Sequence, residues 1–275
     1  MIAGSGKRLN LGSVMGVWGD ALEYSRNHQR EELAIISLCL QCCPLDLGPT
    51  FELVQLICDI ENRKHPDTEF FLVYRKDCPL WVAKEFEKLT AKRFARVAAR
   101  AARNHDVGWP GGPNMLAASA FIEMSLLRRE GGLCRNEAFL LFEPDCIPMT
   151  KDWLDRLSEE WERVKAAGKE CFGHWHHLGA EDEGLHMNGN AVFRTSWFDD
   201  HPTWIVGTAT QGWDFFYRDK ILPVSQDSNL IFQHWNRYGM PISELDAMTK
   251  NGVRPALFHG IKTSEGREYA RKFLT

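Results

Sequence analysis

The first regular pattern along the chain is a continuous apolar run, Leu33-Ala-Ile-Ile-Ser-Leu-Cys-Leu40. Such a run marks a strand covered on both faces. A loop from Pro44 to Pro49 follows, and Thr50 stands where an N-cap would open an amphipathic helix over 51–62. Phe70-Phe-Leu-Val-Tyr74 predicts a second buried strand, with a short helix behind it over 81–89. Residues 94–102 fit either period, and the alternation of their neighbours assigns them to a strand. The turn residues of Gly108-Trp-Pro-Gly-Gly-Pro-Asn114 predict a loop. A helix over 115–129 should then close on Gly131-Gly132. Ala138-Phe-Leu-Leu-Phe142 predicts a strand that runs straight into Glu143-Pro144-Asp145. A helix over 153–167, with Gly168 after it, and a strand over 170–173 complete the regular part.

Strand then helix, repeated four times, predicts an α/β fold: a single Rossmann-like domain with a mostly parallel central sheet and helices on both faces. The last hundred residues read as shorter, mixed elements. Residues 1–31 read as an N-terminal extension with a helix around Val14–Arg30, and residues 32–275 as the domain. Gly4-Ser5-Gly6-Lys7-Arg8 lacks the first glycine and the preceding strand of a phosphate-binding loop, and is not taken as one.

The 275 residues are 44% hydrophobic and 25% charged, which excludes a disordered chain, a collagen-like repeat and a coiled coil. Sixteen Phe and ten Trp are ample for a sizeable core and for stacking surfaces. The net charge of −4 argues against whole-molecule attraction to nucleic acid or anionic membrane. Eight cysteines are too few for a disulfide scaffold. The start shows no apolar signal region, and the run Leu33–Cys43 is too short to span a bilayer. A soluble cytoplasmic protein is the expectation.

In open parallel sheets ligands bind beyond the carboxyl ends of the strands, so the loops there are where chemistry is expected. Glu143 and Asp145 place two carboxylates just past the fourth strand; hard oxygen ligands suit Mg²⁺ or Mn²⁺, and a solvated turn is the alternative. Phe258-His259-Gly260-Ile261-Lys262 delivers an imidazole and an ammonium from an apolar stretch, as metal and phosphate ligands or as an incidental surface loop. Asn188 and Asn190 flank a glycine at the start of an apolar strand and suit sugar hydroxyls, or form a polar turn. In Gln211-Gly-Trp213-Asp214 the carboxylate opens a helix, as a general base or as a cap.

Other signals carry less. Cys39-x-x-Cys42-Cys43 is half of a zinc spacing without a second pair. His174-Trp-His-His177, near His186, lacks the spacing of zinc hydrolases. It lines a donor or acceptor site or forms a surface cluster. Lys88, Lys92, Arg93, Arg96, Arg100 and Arg103 carry six positive charges with no acid among them, as a solvated basic face or a phosphate contact.

Taken together, the strand ending in Glu143-Pro-Asp145, the Gly108–Asn114 loop, Asn188-Gly-Asn190 and His259-Gly-x-Lys262 resemble the GT-A glycosyltransferases over roughly residues 32–265. The resemblance implies a donor half of about 32–150 and an acceptor half of about 151–275. It implies that Glu143 and Asp145 correspond to the family's Asp-x-Asp motif, Glu replacing the first Asp. It implies that His259 completes a Mn²⁺ or Mg²⁺ site and that Lys262 lies near the phosphates. Asp214 takes the place of the base in inverting members, with Asp227 its rival. Arg75, Asn114 and the loop from Gln41 are expected to meet a nucleotide-sugar donor, a UDP-sugar above all, and Asn188, Asn190 and Trp213 the acceptor. Three alternatives stand beside this reading. One is a viral-type transferase acting on hydroxymethylated DNA; the others are a nucleotidyltransferase and a non-catalytic sugar-binding domain.

Overall fold

The computed structural model describes residues 36–61, 67–103, 106–130, 132–177, 184–204, 210–234, 238–272 and 274. The chain divides into two units, Met1–Ala34 and Ile35–Thr275. The first, with the expected helix Val14–Arg30 and the Gly4–Arg8 segment, lies outside the described residues, as does Gly131.

The elements run β1 (Ser37–Cys42), α1 (Leu47–Glu61), β2 (Glu69–Tyr74), α2 (Trp81–Thr90), β3 (Arg96–Ala101), α3 (Gly111–Arg129), β4 (Ala138–Phe142) and β5 (Cys146–Pro148). After them come α4 (Trp153–Ala166), β6 (Cys171–His177), β7 (Leu185–Arg194), α5 (Trp197–Asp200), α6 (Trp213–Phe216) and α7 (Arg218–Val224). The chain continues with β8 (Ser225–Asp227), β9 (Ile231–Gln233), α8 (Ile242–Lys250), β10 (Leu257–His259) and α9 (Ser264–Arg271). The main sheet has the order β3-β2-β1-β4-β7-β6-β8 and the small one β5-β10-β9. β3, β2, β1 and β4 are mutually parallel, β8 is parallel to β6, and β7 runs antiparallel to both β4 and β6. The main sheet is therefore mostly parallel.

Period-two alternation explains why the centres of β1, β2 and β4 are apolar at every position. Leu38, Leu40, Phe70, Leu72, Leu140 and Phe142 point to one face, under α1, α2 and α4. Cys39, Phe71, Val73, Phe139 and Leu141 point to the other, under α3. Both faces are dry, so Leu38–Leu40, Phe70–Val73 and Ala138–Phe142 carry no polar residue. Phe70 anchors the first core, edge-on to Phe86 at 5.1 Å and to Phe94 at 5.2 Å. Phe121 anchors the second, against Phe139, Phe193 and Trp213. At the opposite end from the strand tips, buried Glu69 accepts hydrogen bonds from Ser37 Oγ at 2.5 Å, Arg96 Nε at 2.6 Å and the Arg135 amide at 2.8 Å. This carboxylate knits β1, β2 and β3 together.

Three boundaries differ from the pattern-based expectation. Helix α1 starts at Leu47, not 51, and Thr50 is a buried interior residue whose Oγ1 donates back to the Asp46 carbonyl at 2.7 Å. Helix α3 starts at Gly111, inside the segment expected as a loop. Pro113 falls in its first turn, where a missing N–H removes no intrahelical bond. Strand β6 runs on to His177, so the histidine cluster lies within a strand. Likewise, Asn188 and Asn190 lie within β7 and not in a turn.

Candidate active site

The carboxyl ends of β1, β2 and β4 open onto one cleft, and β5 explains how a distant imidazole reaches it. β5 begins directly after Asp145 and pairs antiparallel with β10, setting Cys146 opposite His259. The Asp145 carbonyl accepts from the amides of Gly260 at 3.2 Å and Ile261 at 3.0 Å, locking the two segments together. Gly260 has φ +108°, and a Cβ there would lie 2.4 Å from the His234 carbonyl oxygen. Only glycine fits.

The result is a tight cluster. His259 Nε2 lies 3.3 Å from Asp145 Oδ1 and 3.5 Å from Glu143 Oε2, and Lys262 Nζ lies 3.8 Å from Asp145 Oδ2. One ligand atom from each of Glu143, Asp145 and His259 falls within 4.8 Å of the others. Burial works against a charge on His259, but the Asp145 and Glu143 carboxylates outweigh it and push its pKa up to about 9. Burial likewise opposes ionisation of Asp145, and the neighbouring His259 and Lys262 hold it below the usual carboxylate range. Two carboxylate oxygens and an imidazole nitrogen form a donor set that suits Mn²⁺ or Mg²⁺.

The asparagines hold this loop. Asn190, buried, accepts the Glu143 amide at 2.9 Å and the Cys146 thiol at 3.2 Å through Oδ1, and its Nδ2 donates to Asn188 Oδ1 at 3.1 Å. Arg267 on α9 clamps the other side, donating to the Pro144 carbonyl at 3.2 Å and the Pro49 carbonyl at 3.0 Å. Asn114 on α3 spends its amide on a different loop. Its Oδ1 accepts from the Trp213 amide at 2.8 Å and its Nδ2 donates to the Gln211 carbonyl at 3.0 Å. That contact sets the start of α6, where Asp214 accepts from the amides of Gly189 at 3.1 Å and Phe215 at 3.0 Å. Burial pushes the Asp214 carboxyl up, and the charge of His186 and the two amides oppose it.

Three cavities adjoin along the cleft. The first, about 420 Å³, is lined by Gln41, Asp46, Arg75, Trp109, Asp145 and Lys262 among others. The second, about 200 Å³, includes Asn114, Glu143, Asn188, Asn190, Asp214 and His259. The third, about 300 Å³, includes His176, His186, Gln211, Asp214, Phe215 and Gln233. Trp109, 72% exposed, lines all three.

The structure thus brings Arg75, Asn114, Glu143, Asp145, Asn188, Asn190, Trp213, Asp214, His259 and Lys262 to the cleft. Arg75 is tied to Asp77 by two hydrogen bonds of 2.7 and 2.8 Å. Trp213 is a floor residue, buried against Phe121 at 5.2 Å with its ring beneath Gly189. Asp227 lines none of the three cavities; it accepts from the Trp175 amide at 2.9 Å on the β8 side of the sheet. Within the basic run, Arg96 pairs with Glu69, Arg103 with Glu123 and Lys88 with Glu85, and none of the six residues lines the cleft.

Sequence reasoning passed over Asp46, Arg267, Phe215 and Gln233. Asp46 had a usable signal, since it follows β1 as Asp145 follows β4. Burial pushes its carboxyl up, against a 2.7 Å hydrogen bond from the Cys43 thiol. Arg267 had none, because one arginine on a polar helix looks like any surface residue.

No family model and no curated protein matches the chain. Solved structures do. The bifunctional glycosyltransferase WbbM, in its apo form, is 11% identical over 88% of this chain and 50% of its own, with a TM-score of 0.50. The glycosyltransferase GlyE of Streptococcus pneumoniae is 7% identical over 88% of this chain and 60% of its own, also at 0.50. The chain spans between half and three-fifths of the length of these two proteins. Their likeness and the mostly parallel seven-stranded sheet show a GT-A-like glycosyltransferase fold.

Proposed function

We propose that this chain is a metal-dependent glycosyltransferase that moves a sugar from a nucleoside-diphosphate sugar, a UDP-sugar first among them, to an acceptor hydroxyl. The observation that carries the reading is the convergence of Glu143, Asp145 and His259 at the junction between the 420 Å³ cavity and the one holding Asp214. The first cavity, lined by Asp46, Arg75 and Lys262, takes the nucleotide.

Glu143, Asp145 and His259 would hold Mn²⁺ or Mg²⁺, with His259 deprotonated on binding. Such an ion supplies electrostatic stabilisation to the departing diphosphate. Lys262 adds a second positive charge on the same side. Asn190 and Arg267 fix the Glu143–Asp145 loop from both flanks, so the carboxylates need little reorganisation. In an inverting transfer the acceptor oxygen forms the new bond to the anomeric carbon as the carbon–oxygen bond to the diphosphate breaks. The electron pair leaves on the diphosphate and the acceptor proton passes to Asp214. Its two amide donors orient the carboxylate, and its raised pKa makes it a stronger base, a role worth roughly 10²–10⁴-fold. The anomeric configuration of the product reports whether Asp214 has that role.

A thermal-shift panel of nucleotide sugars, with and without Mn²⁺, tests the reading. A ligand at a hundred times its Kd stabilises by about 2.7 kcal/mol, which for a domain of this size raises Tm by roughly 5–10 °C. One donor should give that shift only with Mn²⁺. If no nucleotide sugar shifts Tm in a metal-dependent way, the reading is wrong.

A further inference from the structure

We propose that the chain carries a second ligand site, at the opposite end of the sheet from the cleft, which binds a soluble phosphate-bearing small molecule. The site is a cavity of about 500 Å³, larger than any of the three along the cleft and sharing no lining residue with them. Ala138 at the start of β4 pairs with Arg194 at the end of β7, and Glu137 and Arg194 both line the cavity. β4 lies between this point and the Glu143–Asp145 loop. About six residues rising about 3.3 Å each separate the two sites by roughly 20 Å.

Charge selects the ligand. Five bases line the cavity, Arg128, Arg135, Lys165, Lys169 and Arg194, against two acids, Glu137 and Glu170, in a chain whose net charge is −4. Arg128 and Lys165 stand in the last turns of α3 and α4, where the helix dipole alone favours a base. Arg135 and Lys169 stand in loops and Arg194 at a strand end, where the dipole gives no such reason. Both acids are engaged by other groups: Lys165 Nζ lies 2.9 Å from Glu137, and His201 Nε2 lies 2.8 Å from Glu170. Arg194 keeps looser contacts, 3.9 Å to Glu170 and 3.6 Å to Asp200. Arg135 donates Nε to the Gly132 carbonyl at 3.1 Å, and Lys169 donates Nζ to the Pro223 carbonyl at 2.7 Å. These neutral contacts fix the two side chains without cancelling their charge.

Phosphate is the group this lining suits. A guanidinium fork gives two parallel N–H bonds to its oxygens, and a lysine adds a point charge. Trp161, 2% exposed, lines the same cavity, and its buried indole N–H has no acceptor among the described residues. A buried donor is costly to leave unpaired, and a phosphate oxygen in the cavity supplies the acceptor. The bases surround a concavity of small-molecule size and not a flat face, which favours a soluble ligand over a membrane surface.

Calorimetric titration of the full chain with pyrophosphate tests the site, with a chelator present so that no metal ion holds the probe in the cleft. Pyrophosphate should bind with a Kd below about 1 mM. Arg135→Gln and Lys169→Gln should each weaken binding about tenfold, while Lys262→Gln in the cleft stays within about twofold of wild type. The Arg135 amide that holds Glu69 is untouched by the side-chain change. On the wild type, the indole N–H resonance of Trp161 should move as pyrophosphate is added, a readout that needs no variant. The proposal is overturned by no binding below about 1 mM, by equal affinity in wild type, Arg135→Gln and Lys169→Gln, or by an unmoved Trp161 resonance. A loss caused by Lys262→Gln instead would put the anion in the cleft and overturn it as well. Vesicles containing anionic phospholipid form the second arm: protein that sediments with them yet fails to bind pyrophosphate has a membrane surface there, which also overturns the proposal. None of these outcomes depends on turnover of a nucleotide sugar, so the site and the transferase reading stand or fall separately.

Discussion

Asn190→Ala separates the loop-holding role of this residue from its place near the acceptor. The change removes the acceptor of the Glu143 amide at 2.9 Å and the donor to Asn188 Oδ1 at 3.1 Å. The Cys146 thiol is a weak donor and adds little. Leaving one backbone donor unsatisfied in a part-buried site costs about 1–3 kcal/mol. At about 2 kcal/mol, the melting temperature should fall by roughly 4–8 °C. Freeing the loop also spoils the orientation of Glu143 and Asp145; loss of a group that orients metal ligands typically weakens binding 10–100-fold. Calorimetric titration with Mn²⁺ below the variant's melting range measures this directly. A variant that loses stability yet binds Mn²⁺ like wild type would show that Asn190 serves the fold alone. One that changes in neither respect would refute the reasoning.

Arg96→Ala strands the buried Glu69 carboxylate without its 2.6 Å ion pair and should destabilise by roughly 3–5 kcal/mol in urea unfolding; a loss below about 0.5 kcal/mol would contradict the role given to Glu69. Burial, and then the Asp46 carboxylate, push the Cys43 thiol up to about 11. At pH 8 only about a thousandth is thiolate, so alkylation of Cys43 should be slow and rise about tenfold per pH unit up to that value. Because Cys43 lines the 420 Å³ cavity, a nucleoside diphosphate with Mn²⁺ should slow it further. Peptide mapping after timed iodoacetamide treatment reads both effects, and fast labelling at pH 8 or no protection would count against them.

The strands of the main sheet were legible because their neighbours bury both faces. Phe70-Phe-Leu-Val-Tyr74 and Ala138-Phe-Leu-Leu-Phe142 lie within a residue of β2 and β4. The small sheet was not legible, since β5, β9 and β10 are three residues each and too short to show a period. Its pairing nevertheless brings His259 to Asp145, which no local pattern contains. Turn-rich composition hid the start of α3, because Gly-Gly-Pro is tolerated in a first helical turn as readily as in a loop. The carboxylates were found through their position after β4. Asp46 holds the corresponding position after β1, but it stands there as a single acid between Leu45 and Leu47, without the paired carboxylate that marks Glu143-Pro-Asp145. Asn114 and Asn190 were singled out as ligand contacts, and their side chains turn out to hold the loops that present Asp214 and Glu143. Residue type signalled polarity in a cleft; only the hydrogen-bond partners separate a residue that touches a ligand from one that positions it.

The most direct test is release of nucleoside diphosphate from a UDP-sugar panel by wild type and Asp145→Asn, with Mn²⁺ and with chelator. This substitution keeps the size of the side chain and leaves the backbone carbonyl that accepts from Gly260 and Ile261 in place. The account predicts Mn²⁺-dependent release by wild type and a loss of at least a hundredfold in the variant at matched folded fraction. Equal release by both proteins, or release unaffected by chelator, would contradict it.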